Sequence, residues 1–456
     1  MPYCPHMSSN ADTRRYAQPT RRSFLKGATA AATAPAFIAN LRAQAPGAKL
    51  NHAAIGVDGQ GWSDLQAIAT HPSVNITAIC DVDTARMAKA AEKFPQARKY
   101  QDWRELLEKE GDKIDSVNVT VPDHMHAPIA MAAMEKGKHC YCQKPLTHEV
   151  DEARNMRMLA DKSGVVTQMG NQIQSFSEYR SAVAAIQKGV IGKIKEIYAW
   201  SGARFPFNGR PDGSDPIPET LDWNKWLGVA PERPYKAGIY HDFQWRGWRD
   251  FGGGGLGDFG CHILDSPFKA LNLTAPKTVK ATVDEAWLAD EAQRAENFPD
   301  WEKIEYVFPG TEFSLGDTIN VTWFDGTKQP PRELFDFENA KRTVPGGGSL
   351  FIGEGGQLLL PHFSFPKLLP YARNKEITIE NVGQRDHYHS FVDACLGKEK
   401  TTSHFGFAGP MTETVLLGHV ANRFPGQELE WDTATMQFPN FAAANAFTKR
   451  DYRTGW

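Results

Sequence analysis

The sequence predicts an α/β protein whose first half is a doubly wound, mostly parallel sheet wrapped by helices. From residue 50 onward, short apolar runs that suit buried strands alternate with helix-length segments. The connections between them are short, which is typical of βαβ units. The chain has 456 residues, more than one ordinary hydrophobic core holds. We therefore expect two domains plus an appendage.

The elements of the first half follow one another in a regular order. The predicted strands are Leu50–Ile55, Val74–Cys80, Ser116–Val121 and Lys138–Cys142. The predicted helices between and after them cover residues 62–70, 103–109 and 127–136. Because ligands bind at the carboxyl ends of such strands, we expect the functional site at that edge of the sheet.

A glycine turn, GVDGQG, follows the first strand and leads into a helix, an arrangement that can cradle a phosphate. We predict a dinucleotide there, held by Gly56, Asp58, Gly59 and Gly61; a plain βα turn is the alternative. Asp58 occupies the second glycine position and would repel a pyrophosphate unless it points away or Gly59 makes the close approach. Asp81 ends the second strand, where a carboxylate suits ribose hydroxyls and repels a 2'-phosphate, so we expect NAD rather than NADP.

A second stretch that contains candidate catalytic residues is residues 250–265, DFGGGGLGDFGCHILD. Asp258, His262 and Asp265 are spaced i, i+4, i+7, so a helix would place them on one face. A histidine beside a carboxylate can accept a proton near neutral pH. The glycines before it would let the backbone approach a ligand closely. The alternative is a half-buried histidine with a purely structural role.

Two further features suit a cleft. Lys144 ends a predicted strand, and a lysine in a partly dry cleft can lose its proton or bind a substrate hydroxyl; an ordinary surface lysine is the alternative. Residues 202–250 form a long irregular segment rich in proline and aromatic residues. Its indole rings could bind the apolar face of a sugar, although we expect most of them to serve packing. The aromatic and histidine residues concerned are Trp223, Trp226, Tyr235, Tyr240, His241, Trp245 and Trp248.

The remaining patterns exclude several classes of protein. A net charge of −3 without a basic face argues against nucleic-acid binding and for a small-molecule partner. The six cysteines include no C-x-x-C pair, so we expect neither a disulfide framework nor a zinc site. His387 and His389 lack a third ligand at metal-site spacing, and we expect a structural or cleft-lining role for them. Alternating apolar runs at 278–283, 303–307 and 319–324 predict strands of a second sheet.

The N-terminal segment predicts export. Residues 20–26, TRRSFLK, precede an apolar run over 27–38 and a small-residue cleavage site at 43–45, as in twin-arginine signals. Pro46 would follow the cut and fits this reading less well; a basic cytoplasmic tail is the alternative. The apolar run is too short for a stable membrane anchor, so we expect a periplasmic or secreted protein without one.

These motifs together resemble the Gfo/Idh/MocA oxidoreductases, and most closely their twin-arginine-exported members. The resemblance rests on the glycine turn, Asp81, the segment TVPDHMHAPIAMAAMEKGKHCYCQKPLTH and the later GDFGCHILD. It implies a Rossmann domain followed by an α/β domain with a large, mostly antiparallel open sheet, and an active site between them. We assign residues 1–45 to the signal, 48–170 to the Rossmann domain and 171–456 to the substrate domain, whose C-terminal segment could pack back on the Rossmann domain.

The resemblance also implies roles for individual residues. The family's Glu-Lys-Pro motif falls on residues 143–145, where Gln143 replaces the glutamate, and its Asp-x-x-x-His pair falls on Asp258 and His262. We expect Lys144, Asp258 and His262 to be catalytic and to bind substrate, and Asp265 to have a supporting structural role. The full set of expected cofactor contacts is Gly56, Asp58, Gly59, Gly61, Asp81, Pro122, His126, Gln143 and Lys144, and Trp245 and His241 are expected to contact the substrate. We also expect a homo-oligomer, either a dimer or a tetramer.

The function implied is an NAD-dependent oxidation of a carbinol in a sugar, glycoside or polyol, with His262 as base. An exported enzyme lacks a free NAD pool, so the cofactor should stay bound through the cycle. This constraint also supports a redox-assisted glycoside hydrolase, in which oxidation, elimination, hydration and re-reduction follow one another. A non-catalytic sugar-binding protein is a third alternative, suggested by Asp58 and Gln143.

Overall fold

The computed structural model describes residues 49–205 and 209–456. The predicted export signal, residues 1–45, lies outside these residues. Within them, every helix is too short or too polar to cross the hydrocarbon core of a bilayer.

The first half contains a six-stranded parallel sheet. Its strands are β1 (Leu50–Ile55), β2 (Val74–Cys80), β3 (Arg98–Tyr100), β4 (Ser116–Val119), β5 (His139–Gln143) and β6 (Thr167–Gly170). They are arranged in the order β3-β2-β1-β4-β5-β6. The strand order reverses between β1 and β4, and in doubly wound sheets a ligand crevice opens at such a point.

Helices follow the strands of this sheet along the chain. They are α1 (Gln60–Ala69), α2 (Thr84–Lys93), α3 (Trp103–Glu110), α4 (His126–Glu135), α5 (Val150–Ser163) and α6 (Ser177–Gln187). Helix α6 packs against residues 265–271 and 357–361 of the second half. Side chains cap several of them: Asp83 accepts from the Ala85 N–H, and Asp102 accepts from the Arg104 N–H. At α5 a capping box joins Glu149 and Glu152. Such caps satisfy backbone donors that the first helical turn leaves free.

The second half contains an eight-stranded sheet in which only β7 and β10 pair in parallel among the described strands. The order is β13-β12-β11-β7-β10-β9-β8-β14. The strands are β7 (Ile194–Ser201), β8 (Thr278–Val283), β9 (Glu302–Pro309), β10 (Thr318–Asp325), β11 (Gly347–Gly353), β12 (Gln357–Pro361), β13 (Lys367–Leu369) and β14 (Glu428–Glu430). Buried and half-buried residues alternate strictly along β9, which indicates one face packed on the core.

The helices of the second half are α7 (Trp223–Leu227), α8 (Gly254–Ile263), α9 (Asp265–Leu271), α10 (Glu285–Ala289), α11 (Glu291–Glu296), α12 (Tyr371–Asn374), α13 (His387–Cys395) and α14 (Phe405–Ala421). The apolar helix α14 packs against α5 and α8. Helix α13 packs against α1 of the first half. The expected single helix after the glycines is in fact two, because α8 ends at Ile263 and Asp265 opens α9.

Contacts also tie the end of the chain to its first half. The Tyr452 hydroxyl donates to Glu152, and the Arg104 guanidinium lies 4.0 Å from the centre of the Trp456 ring. The four tryptophans of the irregular segment belong to one buried aromatic cluster around Tyr240 and Phe251. The predicted fold class, a parallel Rossmann sheet followed by a mostly antiparallel sheet, is confirmed.

Candidate active site

A cleft of about 430 Å³ opens at the carboxyl ends of the parallel strands. Nearly all the residues predicted for the site line it. They are Gly56, Asp58, Gly59, Gly61, Asp81, Pro122, His126, Gln143, Lys144, His241, Trp245 and Asp258. His262 is the one predicted site residue that does not line this cleft, and it lies one helical turn beyond Asp258.

The glycine turn is shaped by two close approaches. Gly56 has φ +80°, and a Cβ there would lie 2.0 Å from the carbonyl oxygen of Thr120. A Cβ on Gly61 would lie 2.2 Å from the carbonyl oxygen of Gly56. Gly59 also has positive φ, but nothing lies within 4 Å of its Cβ position. The turn is therefore closed on the strand side and open at Gly59, which fits a phosphate at the start of α1.

Asp58 is paired rather than free. Its Oδ2 lies 2.6 Å from Nη1 of Arg86, and Nη2 of the same guanidinium bonds Asp242 from the irregular segment. We call these three residues the Arg86 bridge. Because Arg86 compensates the Asp58 carboxylate, this residue does not leave an unpaired negative charge beside the glycine turn.

Asp81 lies at the end of β2 and is half-buried. Its carboxylate accepts hydrogen bonds from the backbone N–H groups of Val57 (3.1 Å) and Asp83 (3.0 Å). Burial raises the pKa of Asp81 to about 6, so the group is ionised at neutral pH. A fixed carboxylate at this strand end suits a pair of ribose hydroxyls.

Lys144 and Asp258 form an ion pair across the cleft. The ammonium Nζ lies 2.5 Å from Asp258 Oδ1 and 3.0 Å from the Asp258 carbonyl oxygen. Nε of Arg246 lies 3.6 Å from the same carboxylate oxygen. Burial alone would raise the pKa of Asp258, but the two cations outweigh burial and lower it. Two elements distant in sequence, the end of β5 and helix α8, thus bring a cation and an anion together.

His262 is oriented by an amide rather than by a carboxylate. Its Nδ1 lies 2.7 Å from Oδ1 of Asn171, whose Nδ2 donates to the carbonyl of Cys261 and to Asp265. These two donated bonds fix the amide, so His262 carries its proton on Nδ1 and a lone pair on Nε2. Burial and the Lys144 ammonium lower the pKa of His262 well below its usual value. The imidazole is therefore neutral at pH 7, as a proton acceptor must be.

Two of the predicted residues that line the cleft, His126 and His241, have hydrogen-bond partners within the protein. His126 is buried, and its Nδ1 and Nε2 lie 2.7 and 2.8 Å from the carbonyl oxygens of Pro145 and Val121. Both ring nitrogens face backbone carbonyl oxygens, and the neutral ring can donate to one of them, so His126 can offer a cofactor only the surface of its ring. Nε2 of His241 lies 3.3 Å from Oδ2 of Asp83, and His241 lines the same cleft as Lys144. Its contact with the substrate stays a prediction.

The tryptophans divide as expected between packing and cleft. Trp223 and Trp226 stack with ring centres 4.6 Å apart, and Trp248 packs on Tyr240. Only Trp226 and Trp245 of the four line the cleft. The Arg246 guanidinium lies 4.2 Å from the centre of the Trp245 ring and also approaches Asp258.

Comparison with known proteins assigns the chain to a family. A model described as oxidoreductase family, NAD-binding Rossmann fold, matches residues 50–171. A second model, described as oxidoreductase family, C-terminal alpha/beta domain, matches residues 188–322. The two models together cover more than half of the chain. The chain belongs to the Gfo/Idh/MocA oxidoreductase family. Its first domain is accordingly an NAD-binding Rossmann domain.

Several characterised or named proteins are similar to this chain. Levoglucosan dehydrogenase of Pseudarthrobacter phenanthrenivorans is 27% identical over 188 residues, which are 41% of this chain and 40% of that protein. A glycosyl hydrolase family 109 protein of Stenotrophomonas maltophilia is 24% identical over 241 residues, 50% of this chain and 48% of that protein. The matched regions thus span less than half of these relatives.

Solved structures share the fold over most of the chain. The WlbA dehydrogenase from Chromobacterium violaceum, crystallised with NADH and UDP-GlcNAcA, gives a TM-score of 0.60 at 16% identity. The alignment covers 84% of this chain and 96% of that one. At this identity the likeness establishes the shared fold.

The structure adds residues to the site that the motifs did not indicate. Asp123 is buried, lines the cleft, and has its pKa raised to about 8 by burial against the opposing effect of Arg246 and Lys144. Asn171 and the Arg86 bridge depend on tertiary contacts, so no local pattern reveals them. Asp64 is different: it falls in the buried series 61, 64, 65, 68 along α1, where a carboxylate on the apolar face is a signal the sequence contains.

His387 and His389 do not form a metal pair. His387 Nδ1 lies 3.1 Å from the Ser175 hydroxyl, and His389 Nε2 lies 2.8 Å from the Thr70 hydroxyl. Between them, Tyr388 donates to Asp64. This helix start therefore joins the second half to the first by hydrogen bonds.

Proposed function

We propose that this chain is an exported, NAD-dependent oxidoreductase that acts on a carbinol of a sugar, glycoside or polyol. The observation that carries the proposal is the Lys144–Asp258 ion pair, which lines the same cleft as the glycine turn and Asp81. A cation that can polarise an oxygen thus lies in one continuous cleft with the features that suit a dinucleotide.

The residues of the cleft fit NAD. The open position at Gly59 suits a pyrophosphate, and the half-buried Asp81 suits a ribose. Bound NAD would supply the hydride acceptor. The carbinol carbon loses a hydride and its hydroxyl loses a proton, leaving a carbonyl group.

Three side chains would handle the carbinol. The Lys144 ammonium can donate a hydrogen bond to the reacting oxygen, while Asp258 holds that ammonium in place. The unprotonated Nε2 of His262 can accept the hydroxyl proton, because Asn171 holds the other ring nitrogen. His262 lies beyond the cleft lining, so we place the sugar between the cleft and α8.

The Arg86 bridge supports a cofactor that remains bound. It links the glycine turn at Asp58 to Asp242 in the irregular segment, and both carboxylates line the cleft. A link between these two parts of the cleft lining would slow the dissociation of a bound nucleotide. Retention of NAD agrees with the twin-arginine run at residues 20–26, since that export route transports folded, loaded proteins.

A redox-assisted glycoside hydrolase is the second candidate. It is favoured by the relatives named as glycosyl hydrolase family 109 proteins, together with an alpha-N-acetylgalactosaminidase of Shewanella oneidensis at 29% identity over 149 residues. In that reaction the same three residues would assist the oxidation of one ring carbon by NAD, and the resulting carbonyl would acidify the neighbouring C–H and allow elimination of the aglycone. NAD would return to its starting state within each cycle.

The first experiment measures the nucleotide content of the purified protein. Acid release should yield NAD in near-stoichiometric amount. Gly56→Ala should abolish it, because the new Cβ would meet the Thr120 carbonyl. Gly164→Ala is the matched control, since Gly164 also has positive φ but ends α5. A protein that is empty and fails to bind added NAD would contradict both enzymatic functions and leave a sugar-binding protein.

The second experiment uses a panel of free sugars, polyols and aryl glycosides. A keto-sugar product identifies the dehydrogenase. Aglycone release without net NADH identifies the glycoside hydrolase. Binding with neither product contradicts both.

A third experiment tests export. Cell fractionation should find the protein in the periplasm, and the R21K/R22K variant should remain in the cytoplasm because the twin-arginine route requires the paired arginines. A periplasmic location of the variant would contradict this part of the proposal.

A further inference from the structure

Asp64 is a fully buried carboxylate on the second turn of α1, with no exposed surface. Four side chains donate hydrogen bonds to it. Gln60 Nε2 (2.7 Å) and the Tyr388 hydroxyl (2.8 Å) reach Oδ1, and Gln143 Nε2 (2.8 Å) and the Thr120 hydroxyl (2.9 Å) reach Oδ2. These four bonds fill the four lone-pair positions of an ionised carboxylate.

The arrangement favours the ionised form. The Gln60 and Gln143 amide nitrogens can only donate, and they place one N–H on each carboxylate oxygen, so both oxygens of Asp64 act as acceptors. Burial raises the pKa of Asp64 above its ordinary value, and the four hydrogen bonds to the ionised form offset part of that rise. All four donors are neutral groups, so the network holds a buried negative charge without a cation among its hydrogen-bond partners.

This charge lies directly behind the wall of the cleft. Gln60, Thr120 and Gln143 all line the cleft, and each donates to Asp64 from the other side. The Gln143 amide oxygen accepts from the backbone N–H of Lys144, so the same amide links Asp64 to the residue that carries the reactive ammonium.

The wall is closely packed around that amide. A Cβ at Gly170 would lie 2.6 Å from both Cδ and Nε2 of Gln143, so a glycine at the end of β6 is needed for the amide to fit. The amide is therefore fixed with its nitrogen toward Asp64 and its oxygen toward Lys144.

We propose that Asp64 makes the site prefer oxidised NAD⁺ over NADH. The inference rests on the proposed function, since it concerns the cofactor of that function. The nicotinamide ring is a cation in NAD⁺ and neutral in NADH, whereas the rest of the dinucleotide has the same charge in both forms. A buried anion beside the reactive end of the cleft stabilises the charged ring selectively, because interactions between charges are strong where water is excluded.

The test measures the Kd of each nucleotide for the stripped, full-length mature protein, by quenching of tryptophan fluorescence. Asp64→Asn removes the charge and retains the shape. The ratio Kd(NADH)/Kd(NAD⁺) should then fall roughly tenfold relative to the wild type. Tyr388→Phe is the matched control: it removes one donor and keeps the charge, so the ratio should stay within about twofold of the wild-type value.

A double variant separates charge from packing. In D64N/Q143E the carboxylate moves to position 143 and the new amide at 64 can donate to it, so the negative charge returns to the wall. The ratio should return to the wild-type value. This variant also provides the test if Asp64→Asn alone does not fold, since a ratio that remains shifted in the double variant overturns the inference.

The outcomes distinguish the inference from the function on which it rests. A wild-type protein that binds neither nucleotide contradicts the proposed function. A wild type that binds both, combined with an unchanged ratio in Asp64→Asn, overturns the role of Asp64 and leaves the proposed function intact.

Discussion

Two carboxylates flank the strand end that carries Lys144, and they are stabilised in opposite ways. Asp258 lines the cleft and is paired with a cation, the Lys144 ammonium. Asp64 is sealed behind the cleft wall and is held by four neutral donors. A charge paired with a flexible ammonium can exchange partners when a substrate arrives, whereas a charge with every lone pair occupied cannot. The comparison assigns the exchangeable carboxylate to the reaction and the fixed one to the cofactor.

The largest effect should come from removing the cation of the Lys144–Asp258 ion pair. Lys144→Ala leaves Asp258 buried without its main counter-charge and takes away the donor to the reacting oxygen. Turnover should fall by about a thousandfold. The measurement is the initial rate on the substrate identified by the panel, with thermal unfolding as the check on folding. A variant that folds and turns over at the wild-type rate would remove Lys144 from the reaction.

The second largest effect should come from removing His262, the proposed base. His262→Ala should reduce turnover by about a hundredfold, because the hydroxyl proton loses its acceptor. His389→Ala is the control, since His389 bonds Thr70 and Asp386 away from the cleft. Near-normal turnover of His262→Ala, with NAD still bound, would assign proton transfer to another group.

A moderate effect should follow from opening the Arg86 bridge. Arg86→Ala leaves Asp58 and Asp242 without their shared cation, so the glycine turn loses its link to the irregular segment. NAD should dissociate about tenfold faster, as measured by the loss of bound nucleotide during gel filtration or by stopped-flow exchange. Lys109→Ala breaks an exposed ion pair on α3 and should leave the rate unchanged. Equal rates for both variants would mean that the bridge does not retain NAD.

The smallest effect concerns a third carboxylate, Asp123, for which burial outweighs the opposing effect of Arg246 and Lys144 on its pKa. Burial raises its pKa to about 8, from a value near 4 in an unfolded chain. The folded state therefore holds a proton that the unfolded chain releases, and the stability from neutral Asp123 falls as pH rises from about 4 to about 8. The difference in Tm between Asp123→Asn and the wild type should grow by about 3 °C across that window and then level off. A difference independent of pH would show that Asp123 is ionised throughout.

Much of this architecture could be predicted from local patterns. The strands Leu50–Ile55, Val74–Cys80 and Thr278–Val283 were predicted with their observed bounds, because apolar runs and glycine or acidic residues mark their ends. Helices α2, α5 and α14 and strands β11 to β14 were not predicted. Helix α14 is apolar on all sides and buried, so it lacks the one-sided pattern that identifies a surface helix.

Part of the candidate site could also be predicted from the sequence, and part of it could not. Strand ends predict the position of Lys144 and of the glycine turn, and the family resemblance adds Asp258; all of them line one cleft. The partners that determine their chemistry come from elsewhere in the chain: Asn171 for His262, and Arg86 with Asp242 for Asp58. Such pairings depend on packing between distant segments, and no local periodicity encodes them.

The hydrogen bond from Tyr388 to Asp64 joins residues 324 positions apart. The wall of the cofactor cleft is therefore incomplete until most of the chain has been synthesised and α13 has docked on α1. An isolated fragment ending after β6 would contain every glycine of the turn but would leave Asp64 with one acceptor position unfilled. We infer that full affinity for the dinucleotide requires α13 to be docked on α1.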